Sequence, residues 1–296
     1  MPLDVAVKVR FCPPPDDLQR YFTTFYVTEI DPAQGVQISD ALHPEWANLR
    51  FFDGASPDAR IDGGAHISGA RFAATGPSSR CTHFAIGATR FWGVGLLPLG
   101  WTRFVGAPAA DHANLVADGH THPSFTRFAP LADSLFTPDG DEAAEFQRIA
   151  DFFRGLPATG AINEALITAI HQAVIDPYLT TVAELVERVG ASQRKVERMC
   201  HRAFGFSPKL LLRRQRFMRS LTHFMLDPSL KWIGALDGSY HDQAQFVRDF
   251  HEFMGMTPRD YAARPHPILE TFMRERMRVR GAAVQTLDRP DGNDAR

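Results

Sequence analysis

Residues 180–217, TTVAELVERVGASQRKVERMCHRAFGFSPKLLLRRQRF, decide how this chain is read. Thr180 or Thr181 caps a first helix, and Val182, Leu185, Val186 and Val189 fall on one of its faces. Ala183 is small, so a second helix can come close. Gly190 ends the first helix, because glycine enters the left-handed conformation without a side-chain clash. Ser192 caps the second helix. There Val196, Met199 and Cys200 point inward, while Gln193, Arg194, Glu197 and Arg198 point outward. Gly205 stops that helix and Ser207 caps a third, with Pro208 at its first position, where the missing N–H costs nothing. Two short helices around a tight turn, the second basic and exposed, constitute a helix-turn-helix.

The unit is built twice. At an offset of 50 residues Gln193 meets Gln243, Val196 meets Phe246, Arg198 meets Arg248 and His201 meets His251. Gly205, Phe206, Ser207 and Pro208 then meet Gly255, Met256, Thr257 and Pro258. Self-similarity at a fixed offset marks a repeated supersecondary unit. In the second copy Ile233, Ala235 and Leu236 belong to the supporting helix, Asp242 caps the exposed helix, and Phe246, Phe250 and Phe253 bury its inner face. Between the copies KLLLRRQRFMRSLTHFML reads as one long helix ended by Asp227-Pro228. Its ~18 residues span ~27 Å, a length suited to holding two recognition helices about one DNA turn, ~34 Å, apart.

Charge agrees locally. The chain of 296 residues has a net charge of −2, yet between Ser192 and Arg219 nine Lys or Arg residues face a single acidic neighbour, Glu197. Such a concentration suits a phosphate-facing surface, although a solvated helix face would look the same. No apolar run reaches the ~20 residues of a membrane helix. The N-terminus lacks the pattern of a signal peptide. Three cysteines without short spacing, Cys12, Cys81 and Cys200, favour a reducing cytoplasm over a disulfide framework or a zinc knuckle.

The first ~140 residues are rich in turn residues and short apolar stretches, of which 66–75 and 81–97 read as strands. Residues 13–27 read as a proline-led entry into either a short helix or a strand. Thr137-Pro138-Asp139-Gly140 is a loop signal, after which helical periodicity takes over. The expected fold class is therefore α+β: a β-rich domain over 1–156, then an all-α domain over 163–264. Residues 265–296 form a tail with one further helix, ILETFMRERMRVR, before polar sequence that is expected to fray. The helical domain is expected to possess its own core.

At GFSPKLLLRRQRF and YHDQAQFVRDFHEFMGMTPRDYA the sequence resembles the AraC/XylS family of transcription regulators, over about residues 163–264. Members often place glycine in the turn of the second motif, where this chain has Gly238-Ser239-Tyr240. More weakly, PPPDDLQRYFTTFYV and FWGVGLLPLGWTRFVGAPAADHAN resemble a sensor-like domain found ahead of this module. That likeness implies a cupin-like effector or dimerisation domain. The resemblance also implies a cytoplasmic, non-enzymatic protein that binds double-stranded DNA, answers to a small-molecule effector or to homodimerisation, and needs no cofactor. By position, Arg194, Glu197 and Arg198 would face bases from the first recognition helix, with Gln193 beside them, and Gln243, Val247 and Arg248 from the second. Arginine suits guanine, glutamine adenine, glutamate cytosine, and an apolar group the thymine methyl. Arg202, Lys209, Arg213 and Arg214 would meet phosphate.

Other constellations are weaker. His120 and His122, with His66, His83 or His112, would supply ligands if the first half were a cupin-like metal enzyme localised by a DNA-binding module. A nonspecific architectural DNA binder is a third reading. Trp46, Trp92 and Trp101 are candidates to line an effector pocket, or else pack in a core. No Gly-rich phosphate loop or G-x-S-x-G is present.

Overall fold

Alternation of side chains along β-strands sends successive residues to opposite faces, and the first half of the molecule is organised around one sheet used on both. The structure is a computed structural model that describes residues 6–64, 66–160, 162–227, 229, 231–240 and 242–290. Strands β1 (Ala6–Cys12), β2 (Phe22–Asp31), β9 (Thr89–Leu96), β4 (Ala47–Gly54), β7 (Phe72–Thr75) and β10 (Val116–Asp118) form an antiparallel sheet in that order. A smaller antiparallel sheet runs β3 (Ile38–Leu42), β8 (Thr82–Ile86), β5 (Asp58–Ile61), β6 (His66–Ile67). Residues 13–27 therefore resolve into a turn followed by strand β2.

Phe25, Val27, Leu49, Phe51, Trp92 and Val94 point to one face of the large sheet. The turn α1 (Pro98–Gly100) leads into the π-helical Trp101–Val105, which packs on them together with helices α2 (Ala129–Ser134) and α3 (Glu142–Gly155). The intervening residues Tyr26, Ile30, Phe52, Ala73 and Phe91 face the small sheet and enclose a cavity with it. Trp92 and Trp101 lie on the helix-covered face and Trp46 between the two halves of the chain, so the tryptophans do not line this cavity.

The helical half comprises α4 (Glu164–Ile175), α5 (Val182–Val189), α6 (Gln193–Met199) with a π-helical turn Cys200–Phe204, α7 (Pro208–Leu226), α8 (Lys231–Ala235), α9 (Gln243–Met254) and α10 (Pro258–Ala262). Pro228 and the side chain of Ile233, both assigned roles from the sequence, lie outside the described residues. Leu236 falls just after α8 rather than within it.

This half does not keep its core to itself. Trp46, Leu97 and Leu99 of the first half pack with Ile170, Leu185, Val196 and Phe204. Ala41 and Cys81 likewise join Phe217, Phe250 and Tyr261.

The tail corrects a second expectation. After α11 (Pro267–Arg280), residues 281–290 do not fray but run back between the two halves. Trp46 N donates to Gln285 Oε1 at 2.8 Å, and Gln285 Nε2 donates to Ala47 O at 3.0 Å. Gln215 Nε2, from α7, donates to Thr286 O at 2.6 Å. Asp288 is buried against Arg276. Gly95 makes room for this strap, because a Cβ there would come within 2.4 Å of Gln285 Nε2.

Candidate nucleic-acid interface

Local chemistry sets the first motif. Thr181 Oγ1 accepts from Glu184 N at 3.2 Å, while Glu184 Oε2 accepts from Thr181 N at 2.9 Å, a reciprocal capping box. These backbone N–H groups, Thr180's first, hold the Glu184 carboxyl below its ordinary pKa. Gly190 closes α5 at φ 61°, the left-handed region open to glycine. Val196 and Cys200 are fully buried, and burial pushes the Cys200 thiol up to about 12. Desolvation likewise raises Cys12 and Cys81, so none of the three is an activated thiolate.

Gln193, Arg194, Lys195, Glu197, Arg198 and Arg202 stand exposed on the opposite face. Gln193 Nε2 donates to Glu197 Oε1 at 2.9 Å. Among the described residues, Arg194, Lys195, Arg198 and Arg202 form no ion pair. The faces of Arg194, Glu197 and Arg198 open on a groove whose other wall is Ser207, Pro208 and Lys209 at the start of α7.

The second motif has the same plan. Asp242 caps α9 by accepting from Gln245 N at 2.6 Å, Gly255 ends it at φ 68°, and Thr257 caps α10. Gln243 and Arg248 are exposed and Val247 half-buried. Each set of sequence-assigned residues thus shares the outer face of its own recognition helix. The turn differs: Tyr240 stands where Gly190 stands in the first copy. Its hydroxyl donates to Asp249 Oδ2 at 3.0 Å beneath the Arg216 guanidinium, 4.2 Å from the ring centre.

Helix α7 redistributes the basic cluster. Arg213, Arg216 and Arg219 occupy its less buried side and line a groove with Lys209, Thr181, Ser239 and Gln245 between the motifs. Arg213 and Arg216 both donate to Asp249, at 2.6 and 3.0 Å, and Arg213 also reaches Glu252 at 2.6 Å. Arg219 pairs with Asp237. This stripe of arginines at three-residue spacing is visible in the sequence, but its pairing with Asp249 and Asp237 is not.

Arg214 is a correction. It is fully buried and cannot meet phosphate: Nη1 donates to Ser78 O at 2.8 Å and the guanidinium stacks 4.1 Å from the Trp46 ring centre. Burial lowers its pKa to about 9. The signal was there, because Arg214 falls in register with Leu211, Met218 and Leu221 on the apolar stripe.

The histidines of the first half are dispersed. His120 Nε2 lies 3.1 Å from Asp133, whereas His122 packs on His112, whose ring nitrogens reach Pro108 O at 3.0 Å and Ser124 Oγ at 2.8 Å. Among the described residues no three His, Cys, Asp or Glu side chains are grouped to hold a metal ion. No helix among them is long and apolar enough to cross a membrane.

A family model described as a helix-turn-helix domain matches residues 185–264. Among solved structures, the chain is similar to ToxT from Vibrio cholerae at 9% identity, covering 87% of this chain and 97% of that one, with a TM-score of 0.43. A ToxT structure with bound unsaturated fatty acid gives 10% identity, coverage of 87% and 94%, and a TM-score of 0.40. The AraC-like transcriptional activator CuxR gives 10%, 72% and 86%, and 0.24. No curated protein sequence matches the chain. With two helix-turn-helix units on one long helix across the matched residues, the C-terminal part of this chain carries a helix-turn-helix domain.

Proposed function

We propose that α6 and α9 read double-stranded DNA in successive major grooves and that the N-terminal half adjusts this reading in response to a small molecule. The observation that carries the proposal is a contrast in charge. Among the described residues, Arg194, Arg198, Arg202 and Arg248 stay exposed without ion pairs, while Arg213, Arg216 and Arg219 beside them are tied to carboxylates. A cation left unpaired in the free protein keeps its hydrogen-bonding capacity for a base edge or a phosphate. Arg194, Glu197 and Arg198 are the base readers of α6; Gln243, Val247 and Arg248 are those of α9. Gln193 shapes the first face through Glu197, and Arg202 and Lys209 hold phosphate.

Support for effector control comes from the strap. Ala283, Val284 and Gln285 border the cavity between the sheets, while Gln215 of α7 holds the next residue, Thr286. An effector acts only by binding one arrangement better than the other, and this segment touches both the cavity and the helix that carries the two motifs.

The test begins by sequencing DNA fragments retained by the full chain, then measures Arg198→Ala and Arg248→Ala on the recovered operator. Each is expected to lose ~1–3 kcal/mol and to relax preference at one base position. A uniform loss on every sequence with a shallower salt slope reassigns that arginine to phosphate. Unchanged binding by both variants overturns the docking.

A further inference from the structure

We propose that the cavity between the two sheets binds a small uncharged aromatic molecule, a single ring bearing one hydroxyl or carbonyl group. The proposal deepens the reading of the first half as an effector domain, and its regulatory meaning rests on that reading. The cavity has a volume of about 130 Å³. An engineered apolar cavity of ~150 Å³ accommodates benzene, so there is room for one ring with little attached. Phe52, Phe84 and Phe91 from the sheets and Phe272 and Met273 from α11 supply the walls. Aromatic walls favour an aromatic guest through edge-to-face and offset contacts.

The charges at the cavity are already balanced. Arg50 donates through both terminal nitrogens to Glu45, at 2.8 and 3.0 Å, and Glu45 also accepts from Thr75 Oγ1 at 2.9 Å and Asn48 Nδ2 at 3.3 Å. Tyr26 Oη accepts from Arg50 Nε at 3.1 Å and lies 3.2 Å from Asn48 Oδ1. Arg276 is paired with Asp288. A carboxylate guest would enter beside Glu45, with the charge of Arg50 met by Glu45 and that of Arg276 met by Asp288 through Nη2, and a buried ion without a countercharge is strongly disfavoured.

Polar capacity nevertheless remains on the wall. Among the described residues, His43 Nδ1, Thr82 Oγ1 and Arg276 Nε are buried without a hydrogen-bond partner, and each of these residues is at least nine-tenths buried. Native structures leave few such atoms unexplained. A hydroxyl or carbonyl on the guest would satisfy Thr82 Oγ1 and at least one of the other two. His43 brings no charge, because burial lowers its pKa to about 3. Its Nε2 lies 2.6 Å from Tyr261 Oη in α10, so a guest bonded to Nδ1 would touch a side chain that touches the second motif.

The experiment is thermal denaturation and calorimetric titration of the full chain with phenol, benzene and benzoate. Phenol is expected to bind saturably and raise the melting temperature, benzene to do so more weakly, and benzoate to do neither at neutral pH. Thr82→Val should weaken phenol about tenfold, the equivalent of one lost hydrogen bond, and leave benzene unchanged. Ala73→Leu, which fills the cavity from β7, should abolish the phenol shift while melting cooperatively. If Ala73→Leu fails to fold, Thr82→Val decides alone. Benzoate binding as tightly as phenol, no binding of phenol, or equal phenol affinity in Thr82→Val overturns the proposal. Phenol binding that leaves operator affinity unchanged retains the site and sinks the effector reading instead.

Discussion

The two helix-turn-helix units share a plan, yet they are held in place by different physics. The first relies on local devices and apolar burial: a capping box at Thr181, a left-handed glycine at Gly190, and Leu185 and Val196 packed against Trp46 and Leu99 of the first half. The second has a supporting helix of five residues and Tyr240 in place of the glycine. It recovers its position through polar contacts, with Asp249 joining Arg213, Arg216 and Tyr240 in one network. Met199 occupies the place of Asp249 in the first copy. Pairing by charge leaves less cation for DNA, so the first motif presents the more open basic face. The comparison teaches that a repeat conserves where helices start and stop, while the means of fastening them is free to change.

The largest effect that would break this contrast is expected at Asp249. Asp249→Asn leaves Arg216 and Tyr240 without their anion and should cost about 3 kcal/mol, at the lower end for a broken buried pair because Arg213 reaches solvent. Hydrogen exchange should speed up across 243–254 and not across 193–204. Equal acceleration in both motifs would show that the network serves the whole domain.

Acidification probes the two seats together. His171 beside the first motif and His43 against Tyr261 of the second are buried, and burial lowers both to about 3. In the unfolded chain a histidine titrates near ~6.5. Both forms are neutral above that value, so the full stability is present there. As pH falls from ~6.5 towards 3 the unfolded state takes up protons that the native state refuses, and stability declines. Each histidine should contribute a loss of ~2 kcal/mol by pH ~5. Denaturant midpoints measured from pH 7 to 5 should show this slope, reduced by one proton's worth in His171→Phe and again in His43→Phe. A slope untouched by either substitution would place the titrating groups elsewhere.

The smallest effect sharpens the local side of the comparison. Thr181→Ala removes one cap and should cost ~1 kcal/mol, read as a modest shift in denaturant midpoint with operator specificity preserved. A loss as large as that of Asp249→Asn would mean that the first motif, too, depends on a network.

What the sequence determined by itself was local and periodic. Thr181, Ser192, Ser207, Asp242 and Thr257 stand at helix N-termini, and Gly190, Gly205 and Gly255 end helices in the left-handed region, all within a turn of where composition placed them. Caps and glycine stops act over three or four residues, so a linear reading can find them. The outward faces of α6 and α9 were legible for the same reason, since helical period alone separates Arg198 from Val196. Tertiary structure decided which cations remain available for DNA. Arg213, Arg214 and Arg216 look alike along the chain, but Asp249 lies 33 residues beyond Arg216 and Ser78 lies 136 residues before Arg214. It also turned a polar tail into a strap, through contacts from Gln285 to Trp46 and Ala47 more than 200 residues away. The cavity arises in the same way, from strands and a helix that meet only in the folded chain. Burial and ion pairing depend on which distant segments come together, and no local period encodes that meeting.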